Sequence, residues 1–287
     1  MFDFLKISTR SSKQGIEIYP KFRICKSSDL MIRGGDFYAI WLEDRGMWST
    51  DEQDVLDRID YELDKYAKDN KELFGEHPRV LHVRDSETRF IGAWHQFCQR
   101  DMRDSYHMLD EKLIFSNMPT SKKDYASKRL PYPLEKGSHD AYDRLMSVLY
   151  SPEERMKIEW AIGSIVSGES KRLQKFMVLY GAAGTGKSTV LNIIQQLFEG
   201  YYSVFDAKAL GSSSNAFALE AFKTNPLVAI QHDGDLSRIE DNTRLNSLVS
   251  HEIMTVNEKF RPTYSNQFKA FLFMGTNKPV KITDAKS

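Results

Sequence analysis

The chain has little cysteine, and the cysteines it has are dispersed. Its 287 residues include two, Cys25 and Cys98, which lie far apart and form no CxxC pair. A zinc site or a disulfide framework needs clustered cysteines, so the sequence predicts neither. We interpret both cysteines as packing residues.

The chain also lacks an excess charge of either sign and a long apolar run. Lys plus Arg and Asp plus Glu both number 40, so the formal net charge is +0. Any contact with nucleic acid must therefore come from a local basic patch. No apolar stretch approaches the roughly 20 residues of a membrane span, and "MFDFLKISTR" has no signal-like apolar core. We expect a cytoplasmic protein that makes no membrane contact.

The first half of the chain divides into a β-rich segment and a helical segment. In residues 1–45, "GIEIYPKFRIC" and "DFYAIWLED" have strand character. In residues 46–150 the apolar residues recur at helical spacing, with a capping box predicted at Thr50 and Gln53 and a second helix in "TRFIGAWHQFCQRDM". Residues 119–137 are polar, interrupted by proline and rich in lysine, which predicts a linker or a basic surface.

Residues 151–287 alternate short apolar runs with helical stretches. Ser151 is a predicted N-cap, with Pro152 at the first helical position and Glu154 completing a capping box. The runs "KFMVLYG", "YYSVFDA", "PLVAIQHD" and "KAFLFMGTN" follow, with helical patterns at 187–198, 216–223 and 238–250. This alternation predicts an α/β fold, in which a parallel sheet carries helices on its faces.

A glycine-rich loop lies between the first of these runs and the next helix. Residues 181–188 match G-x-x-x-x-G-K-[ST] at every position. The glycines let successive backbone N–H groups turn toward phosphates, Lys187 would reach the β- and γ-phosphates, and the Ser188 hydroxyl would ligate Mg²⁺. The predicted nucleoside triphosphate site consists of Gly181, Ala182, Ala183, Gly184, Thr185, Gly186, Lys187, Ser188 and Thr189.

Polar residues follow two later strands. Asp233 and Asp235 come after "PLVAIQH", and Asn277 comes after "KAFLFMGT". One carboxylate would hold the metal and the other would polarise a water, while Asn277 would contact that water or the γ-phosphate. The alternative is that both are ordinary strand-ending turns, for which Asp, Gly, Asn and Pro are typical.

Between these strands the sequence predicts a hairpin with a basic tip. Thr255–Phe260 is the first strand, Arg261 and Pro262 form the turn, and Gln267–Phe273 is the return strand. Lys259 and Arg261 stand near the tip beside aromatic residues, which suits phosphate contact and base stacking on a single strand. An ordinary solvated hairpin is the alternative.

The segments "GAAGTGKST", "LVAIQHDGD" and "TVNEKFRPTYSNQFKAFLFMGTN", in this order, resemble the superfamily-3 helicases, in particular the phage, plasmid and poxvirus primase-helicase group. The resemblance is strong over about residues 150–287 and weaker back to about residue 37. It implies an AAA+-type ATPase core, preceded by a mostly helical domain and assembled as a ring, usually a hexamer. With ATP and Mg²⁺ it would move along single-stranded DNA during replication in a bacterial host cytoplasm, beside other replication proteins. The residues that match the family are Gly181, Gly186, Lys187 and Ser188 in the phosphate loop, Asn277 as its sensor asparagine and Lys259 as the basic residue of its DNA hairpin.

Two departures from the family pattern change what we expect. The acids come after Gln231 and His232, slightly later than in the family, so we assign Asp235 beside Ser188 to the metal and keep Asp233 as the alternative. His232 is a packed strand-end histidine or stands in the place of the base. The chain ends before the arginines that reach a neighbouring subunit's ATP, which accelerate hydrolysis by about 10³–10⁵. We therefore expect a truncated chain that binds ATP and hydrolyses it weakly.

Two other functions remain open at this point. One is an ATP-binding replication scaffold or loader that binds a partner through residues 50–150. The other is a phosphate-loop kinase for a small molecule, which would need an arginine-rich lid and an acceptor pocket that the sequence does not display. A primase domain is not evident, because residues 1–45 are too short for one.

Overall fold

The computed structural model describes residues 2–23, 29–33, 37–75, 77–85, 89–101, 107–212, 215–235, 241–257 and 263–279. By its internal contacts the chain forms two compact units: Met1–Met108 with Thr120–Ser127, and Leu109–Pro119 with Lys128–Ser287. Within the described ranges, no helix combines the length and apolar character that crossing a membrane requires.

The first unit contains two small sheets. One consists of β1 (Leu5–Ser12), β2 (Gly15–Phe22) and β6 (Arg79–Val80), with β1 antiparallel and β6 parallel to β2. The other is antiparallel and consists of β3 (Leu30–Arg33), β4 (Phe37–Leu42) and β5 (Met47–Ser49). In the two strand-like stretches predicted before residue 45, Gly15–Phe22 and Phe37–Leu42 are strands.

The described residues of this unit also form the helices α1 (Glu52–Asp69), α2 (Lys71–Phe74) and α3 (Phe90–Asp101). The prediction of helices here is confirmed, but the predicted capping box at Thr50 and Gln53 is wrong. The N-cap is Asp51, whose carboxylate accepts the Gln53 backbone N–H at 2.9 Å. A carboxylate at the N-cap also interacts favourably with the positive end of the helix.

Strands and helices of the first unit share one core. Leu5, Ile18 and Ile40 from the strands pack in the same cluster as Ile59 of α1 and Trp94 of α3. The described strands before residue 45 thus contribute to the same cluster as α1 and α3, and the boundary at residue 45 stays a prediction.

The polar stretch 119–137 is packed within the units. Ala126 is buried in the first unit, and Leu130 is buried in the second. The Lys122 ammonium donates to the Asp29 carboxylate at 2.5 Å, so this lysine of the basic stretch is ion-paired. A short 3₁₀ turn, Lys122–Asp124, lies in the same stretch.

The second unit is built on one parallel sheet, whose strand order is β7 (Met177–Tyr180), β12 (Phe271–Thr276), β9 (Val228–Gln231) and β8 (Tyr202–Val204). All three neighbouring pairs are parallel. The predicted α/β fold with a parallel sheet is confirmed. Its helices are α4 (Asp140–Leu149), α5 (Pro152–Val166), α6 (Ser170–Leu173), α7 (Lys187–Leu197), α8 (Ala207–Leu210) and α9 (Thr243–Val249), with a 3₁₀ turn at Glu220–Phe222.

The central strand β12 shows why the sheet lies in the interior. All six of its residues are buried. Phe271 and Phe273 join a cluster with Leu191 of α7, whereas Leu272 and Met274 join a second cluster with α9. Because successive side chains alternate between the two faces of a strand, both faces are covered.

The start of α5 forms as the sequence predicts. The Glu154 carboxylate accepts the Ser151 backbone N–H at 2.9 Å, and the Ser151 hydroxyl accepts the Glu154 N–H at 3.3 Å. The helix ends where Gly168 adopts a φ of 74°, a left-handed conformation in which glycine has no Cβ penalty.

The hairpin exists, but its return strand is shorter than predicted. β10 (Ile253–Val256) pairs antiparallel with β11 (Tyr264–Gln267). The prediction of a return strand at Gln267–Phe273 is wrong, because β11 already ends at Gln267 and Phe271 begins β12; the buried Phe268 and Ala270 lie in the connection between them. The predicted DNA contacts Lys259 and Arg261 lie outside the described residues.

Candidate nucleotide site

The glycine-rich loop joins strand β7 to helix α7 at one edge of the sheet. β7 ends at Tyr180, and α7 begins at Lys187. Gly184 and Gly186 have φ angles of 80° and 82°, and a Cβ on Gly186 would lie 2.7 Å from the Leu149 side chain. The left-handed backbone favours glycine at both points, and at Gly186 the missing side chain also leaves room for Leu149.

The Lys187 side chain lies along this loop. Its ammonium donates to the backbone carbonyls of Gly181, at 2.8 Å, and Ala182, at 2.7 Å. The first N–H groups of α7 have no partner within the helix and give that end partial positive charge. The loop therefore concentrates N–H donors and a cation in one place, the arrangement that binds anions.

The ends of three strands meet beside the loop. β12 lies between β7 and β9, and parallel strands end at the same edge of a sheet. The Gly181 N–H donates to the Thr276 carbonyl at 3.3 Å, and the Gly234 N–H donates to the Gly275 carbonyl at 2.9 Å. These bonds bring the segments after β9 and β12 next to the loop.

Gly275 allows the close approach of the segment after β9. A Cβ at this position would lie 2.4 Å from the backbone oxygen of His232 and 3.1 Å from Leu191. Real Cβ contacts essentially never fall below 3.0 Å. The absence of a side chain at Gly275 therefore sets the position of His232 and of Asp233 beside it.

A cavity of about 380 Å³, which we call the loop cavity, opens at this edge. Its volume falls within the range of small-molecule sites. The sequence-predicted residues that line it are Ala183, Gly184, Thr185, Gly186, Lys187, Ser188, Thr189, Asp233 and Asn277, together with His232 and Leu149. Gly181 and Ala182 contact the Lys187 ammonium instead.

The two predicted acids occupy different positions. Asp233 is exposed and lines the loop cavity. Asp235 does not line it, and its carboxylate accepts from the Lys278 ammonium at 2.6 Å. The sequence could not separate the two, because Lys278 reaches Asp235 only through the folded sheet.

Gln231 and His232, which precede the acids, have partners inside the fold. Gln231 is buried, and its side-chain oxygen accepts the Ala207 backbone N–H at 3.0 Å. His232 Nε2 lies 3.1 Å from Gln195 Oε1, and Gln195 Nε2 donates to the Tyr202 hydroxyl at 2.9 Å. His232 is thus held by a side-chain network at the cavity wall. The sequence carried no signal for Gln195.

The donors around the loop cavity fit a magnesium-bound triphosphate. The described residues contain no group of three or more His, Cys, Asp or Glu that could hold a metal alone. Mg²⁺ is usually held by one or two protein oxygens together with substrate phosphates and waters. The Ser188 hydroxyl and the Asp233 carboxylate, both exposed at the loop cavity, are of that kind.

Comparisons with family models and with curated proteins give two findings. The profile of a family of unknown function (DUF5906) matches residues 179–287, less than half of the chain. No curated protein matches the chain. The family match begins at the end of β7 and includes the loop cavity's glycine-rich loop, Asp233 and Asn277.

Solved structures of the NrS-1 C-terminal region are similar to this chain at low identity. The apo structure of that region (305-718) is 13% identical with a TM-score of 0.46, over 87% of this chain and 54% of that one. Its A form is 18% identical with a TM-score of 0.40, over 51% of this chain and 34% of that one. The chain spans about half or less of the length of the solved chains it matches.

Proposed function

We propose that this chain binds ATP with Mg²⁺ at the loop cavity and belongs to an ATP-dependent DNA helicase or translocase with an AAA+-type core. The proposal depends on one observation: Lys187, Asp233 and Asn277, which lie far apart in the sequence, line the same cavity. If these were only ordinary turns at strand ends, nothing would bring a cation, a carboxylate and an amide together in one cavity.

Each residue has a role that its position supports. The loop N–H groups and the Lys187 ammonium bind the phosphates. To do so, Lys187 gives up its hydrogen bonds to the loop carbonyls and donates to phosphate oxygens instead. Ser188 and Asp233 would hold Mg²⁺, which would supply Lewis-acid stabilisation of the transferred phosphoryl group. Asn277 orients the attacking water or the γ-phosphate. The ion pair of Asp235 with Lys278 favours Asp233 over Asp235 as the metal-side acid.

The hairpin gives a physical link between the nucleotide and a DNA strand. The return strand β11 leads through three residues directly into β12, which ends beside Asn277. A displacement at the loop cavity would therefore reach the hairpin through one short connection. We assign contact with single-stranded DNA to Lys259 and Arg261, which lie between β10 and β11 in the sequence. The family resemblance implies a ring assembly, which we propose has six copies.

The test is the ATPase rate with and without single-stranded DNA. We expect slow ATP hydrolysis that single-stranded DNA stimulates. Lys187→Ala should abolish it. Lys175→Ala, which changes a lysine just before β7, is the control and should leave it unchanged. Lys259→Ala should remove the stimulation and preserve basal hydrolysis.

Two outcomes would favour the other functions. ATP binding without DNA-stimulated hydrolysis in any assembly state would refute the motor and favour a replication scaffold or loader. Transfer of the γ-phosphoryl group to a nucleoside or another small acceptor would favour a kinase.

A further inference from the structure

The strands β1 and β2 form a ribbon with one buried side and one outward side. Leu5 and Ile18 belong to the core of the first unit, and Phe22 packs against it. Because successive side chains of a strand alternate between its two sides, the residues between these point outward. The charged and aromatic residues of the outward side, with Arg79 of β6, form a surface that we call the ribbon face: Lys6, Arg10, Glu17, Tyr19, Lys21 and Arg79.

The ribbon face is basic, although the formal net charge of the chain is +0. Its lysines and arginines are all exposed. Its one carboxylate, on Glu17, is buried and pairs with Arg10 at 2.6 Å and with Arg79 at 3.4 Å. The cations therefore outnumber the acid on this face and create a local positive field that attracts anions.

Two lysines of the ribbon face lie directly opposite each other. Lys6 and Lys21 are partners in the antiparallel register of β1 and β2. Neither lysine forms an ion pair with a residue that the structure describes. Like charges at directly opposed positions destabilise a pair of strands. An anion bound between the two ammonium groups would remove that repulsion.

Tyr19 lies at the centre of the ribbon face and is in contact with two of its cations. The guanidinium carbon of Arg10 lies 5.4 Å from the ring centroid, and the ammonium nitrogen of Lys21 lies 5.7 Å from it. Both distances are within the range of a cation–π interaction. Phe90 of α3 also stacks on this ring, with the centroids 5.6 Å apart. Tyr19 therefore positions cations and leaves no open ring for a nucleobase.

These features favour one kind of polyanion. Sites for single-stranded nucleic acid combine a basic groove with aromatic rings on which bases stack, and the one ring of this face is already covered. Surfaces that bind lipid add apolar side chains that enter the membrane, and the large apolar side chains exposed in the described ranges all lie outside β1, β2 and β6. A duplex needs only cations on an open surface, because its phosphates supply most of the sequence-independent affinity.

The length of the ribbon face suits a duplex. Lys6 and Arg10 are four residues apart on β1, which corresponds to about 13 Å along the strand. Duplex DNA carries one negative charge per about 1.7 Å of its axis, so several phosphates lie within reach of these side chains.

We propose that the ribbon face binds the phosphate backbone of double-stranded DNA without reading its sequence, with Lys6 and Lys21 as the central contacts. The surface lies within the first unit and uses no residue of the loop cavity or of the hairpin. The inference therefore goes beyond the proposed function and does not rest on it.

The experiment measures the affinity for a short labelled DNA duplex of mixed sequence by fluorescence anisotropy, without nucleotide. The parent is the full chain with Lys259→Ala and Arg261→Ala, which remove the other proposed DNA contact. Adding Lys6→Gln and Lys21→Gln should weaken duplex binding at least about tenfold at about 50 mM salt. It should also reduce the steepness of log affinity against log salt by about 0.9 per lysine.

The matched control adds Lys65→Gln and Lys68→Gln to the same parent. These changes remove two exposed lysines from α1 and alter the net charge by the same amount. We expect the duplex affinity and its salt dependence to stay unchanged.

Lys21→Glu separates binding from folding. An acid opposite Lys6 replaces repulsion by attraction across the strands, so the melting temperature should stay the same or rise. Duplex binding should nevertheless weaken more than in Lys21→Gln, because the new carboxylate repels phosphate.

Three results would overturn the inference: no duplex binding by the parent, the same duplex affinity after loss of Lys6 and Lys21, or an equal loss in the α1 control. Equal or tighter binding of a single strand of the same sequence would also contradict the duplex assignment. Binding of phosphatidylserine vesicles in place of the duplex, lost with the same two lysines, would assign the face to an anionic membrane instead.

Discussion

Gly275 affects both the packing of the sheet and the position of the candidate site. A Cβ there would lie 2.4 Å from the backbone oxygen of His232, and Gly275 sits in the central strand of the sheet. Neither backbone can rotate away as a flexible side chain would. We therefore expect Gly275→Ala to displace the segment that carries His232 and Asp233.

The magnitude follows from the cost of overpacking a well-packed interior. Such insertions typically destabilise by 1–3 kcal/mol, and this contact with backbone puts the estimate at about 2 kcal/mol or more. For a unit of this size, that corresponds to a fall in melting temperature of roughly 4–8 °C. The stabilisation by Mg²⁺-ATP should also shrink, because Asp233 moves relative to the glycine-rich loop.

The assay is thermal unfolding by circular dichroism, with and without saturating Mg²⁺-ATP. Gly163→Ala is the matched control: Gly163 lies inside α5, and a Cβ there would meet nothing within 4 Å. It should stabilise the chain by about 0.5–1 kcal/mol, because alanine loses less backbone entropy in a helix. A Gly275→Ala variant with wild-type melting temperature and wild-type nucleotide stabilisation would refute the reasoning.

Two further predictions concern stability and pH. The buried Tyr201 hydroxyl donates to the Lys128 carbonyl at 2.5 Å and accepts the Ile114 N–H at 3.2 Å, so Tyr201→Phe should cost about 1–3 kcal/mol in chemical denaturation. Burial also raises the pKa of Tyr201. The stability that this tyrosine adds is therefore complete below the usual tyrosine pKa of about 10 and is lost as pH rises through the folded-state pKa. If wild type stayed more stable than Tyr201→Phe at very high pH, this reasoning would be contradicted. Ser151→Ala should cost about 1 kcal/mol at neutral pH through loss of the N-cap of α5. The hydrogen bond from the Ser151 N–H lowers the pKa of Glu154. The Glu154 carboxylate therefore stabilises the fold above its ordinary pKa, and this stabilisation is lost as pH falls through the folded-state pKa. Equal melting temperatures of Ser151→Ala and wild type at pH 7 would count against the capping box.

The parts of this structure that sequence predicts well are those set by neighbouring residues. Ser151, Pro152 and Glu154 form a helix start from contacts three residues apart, and the structure shows both reciprocal bonds. The strand–loop–helix unit around Lys187 is equally local. The alternation of apolar runs and helices likewise indicates a parallel sheet, because buried strands on both faces need continuous apolar stretches.

What the sequence could not provide depends on contacts between distant residues. The predicted return strand is wrong because Phe268 and Ala270 belong to an apolar run that, in the fold, is a buried connection leading into β12. The position of β12 between β7 and β9 is set by pairing across the chain. The different surroundings of Asp233 and Asp235 depend on Lys278, which follows a strand formed some forty residues later.

The same reasoning applies to the first unit. Its strands and helices look separate in the sequence, since their apolar periodicities differ. In the fold they bury one cluster, in which Phe4 packs near Trp94, with ring centroids 5.8 Å apart. Only a contact across ninety residues reveals that single core.

The central claim is that the glycine-rich loop binds the phosphates of Mg²⁺-ATP. The most direct measurement is a calorimetric titration of Mg²⁺-ATP into the wild-type chain, Lys187→Ala and the control Lys175→Ala. The account predicts one site per chain, lost or weakened at least about a hundredfold in Lys187→Ala and unchanged in Lys175→Ala, since the ammonium forms charge-assisted bonds to phosphate. Wild-type affinity in Lys187→Ala, or no binding by the wild-type chain, would contradict it.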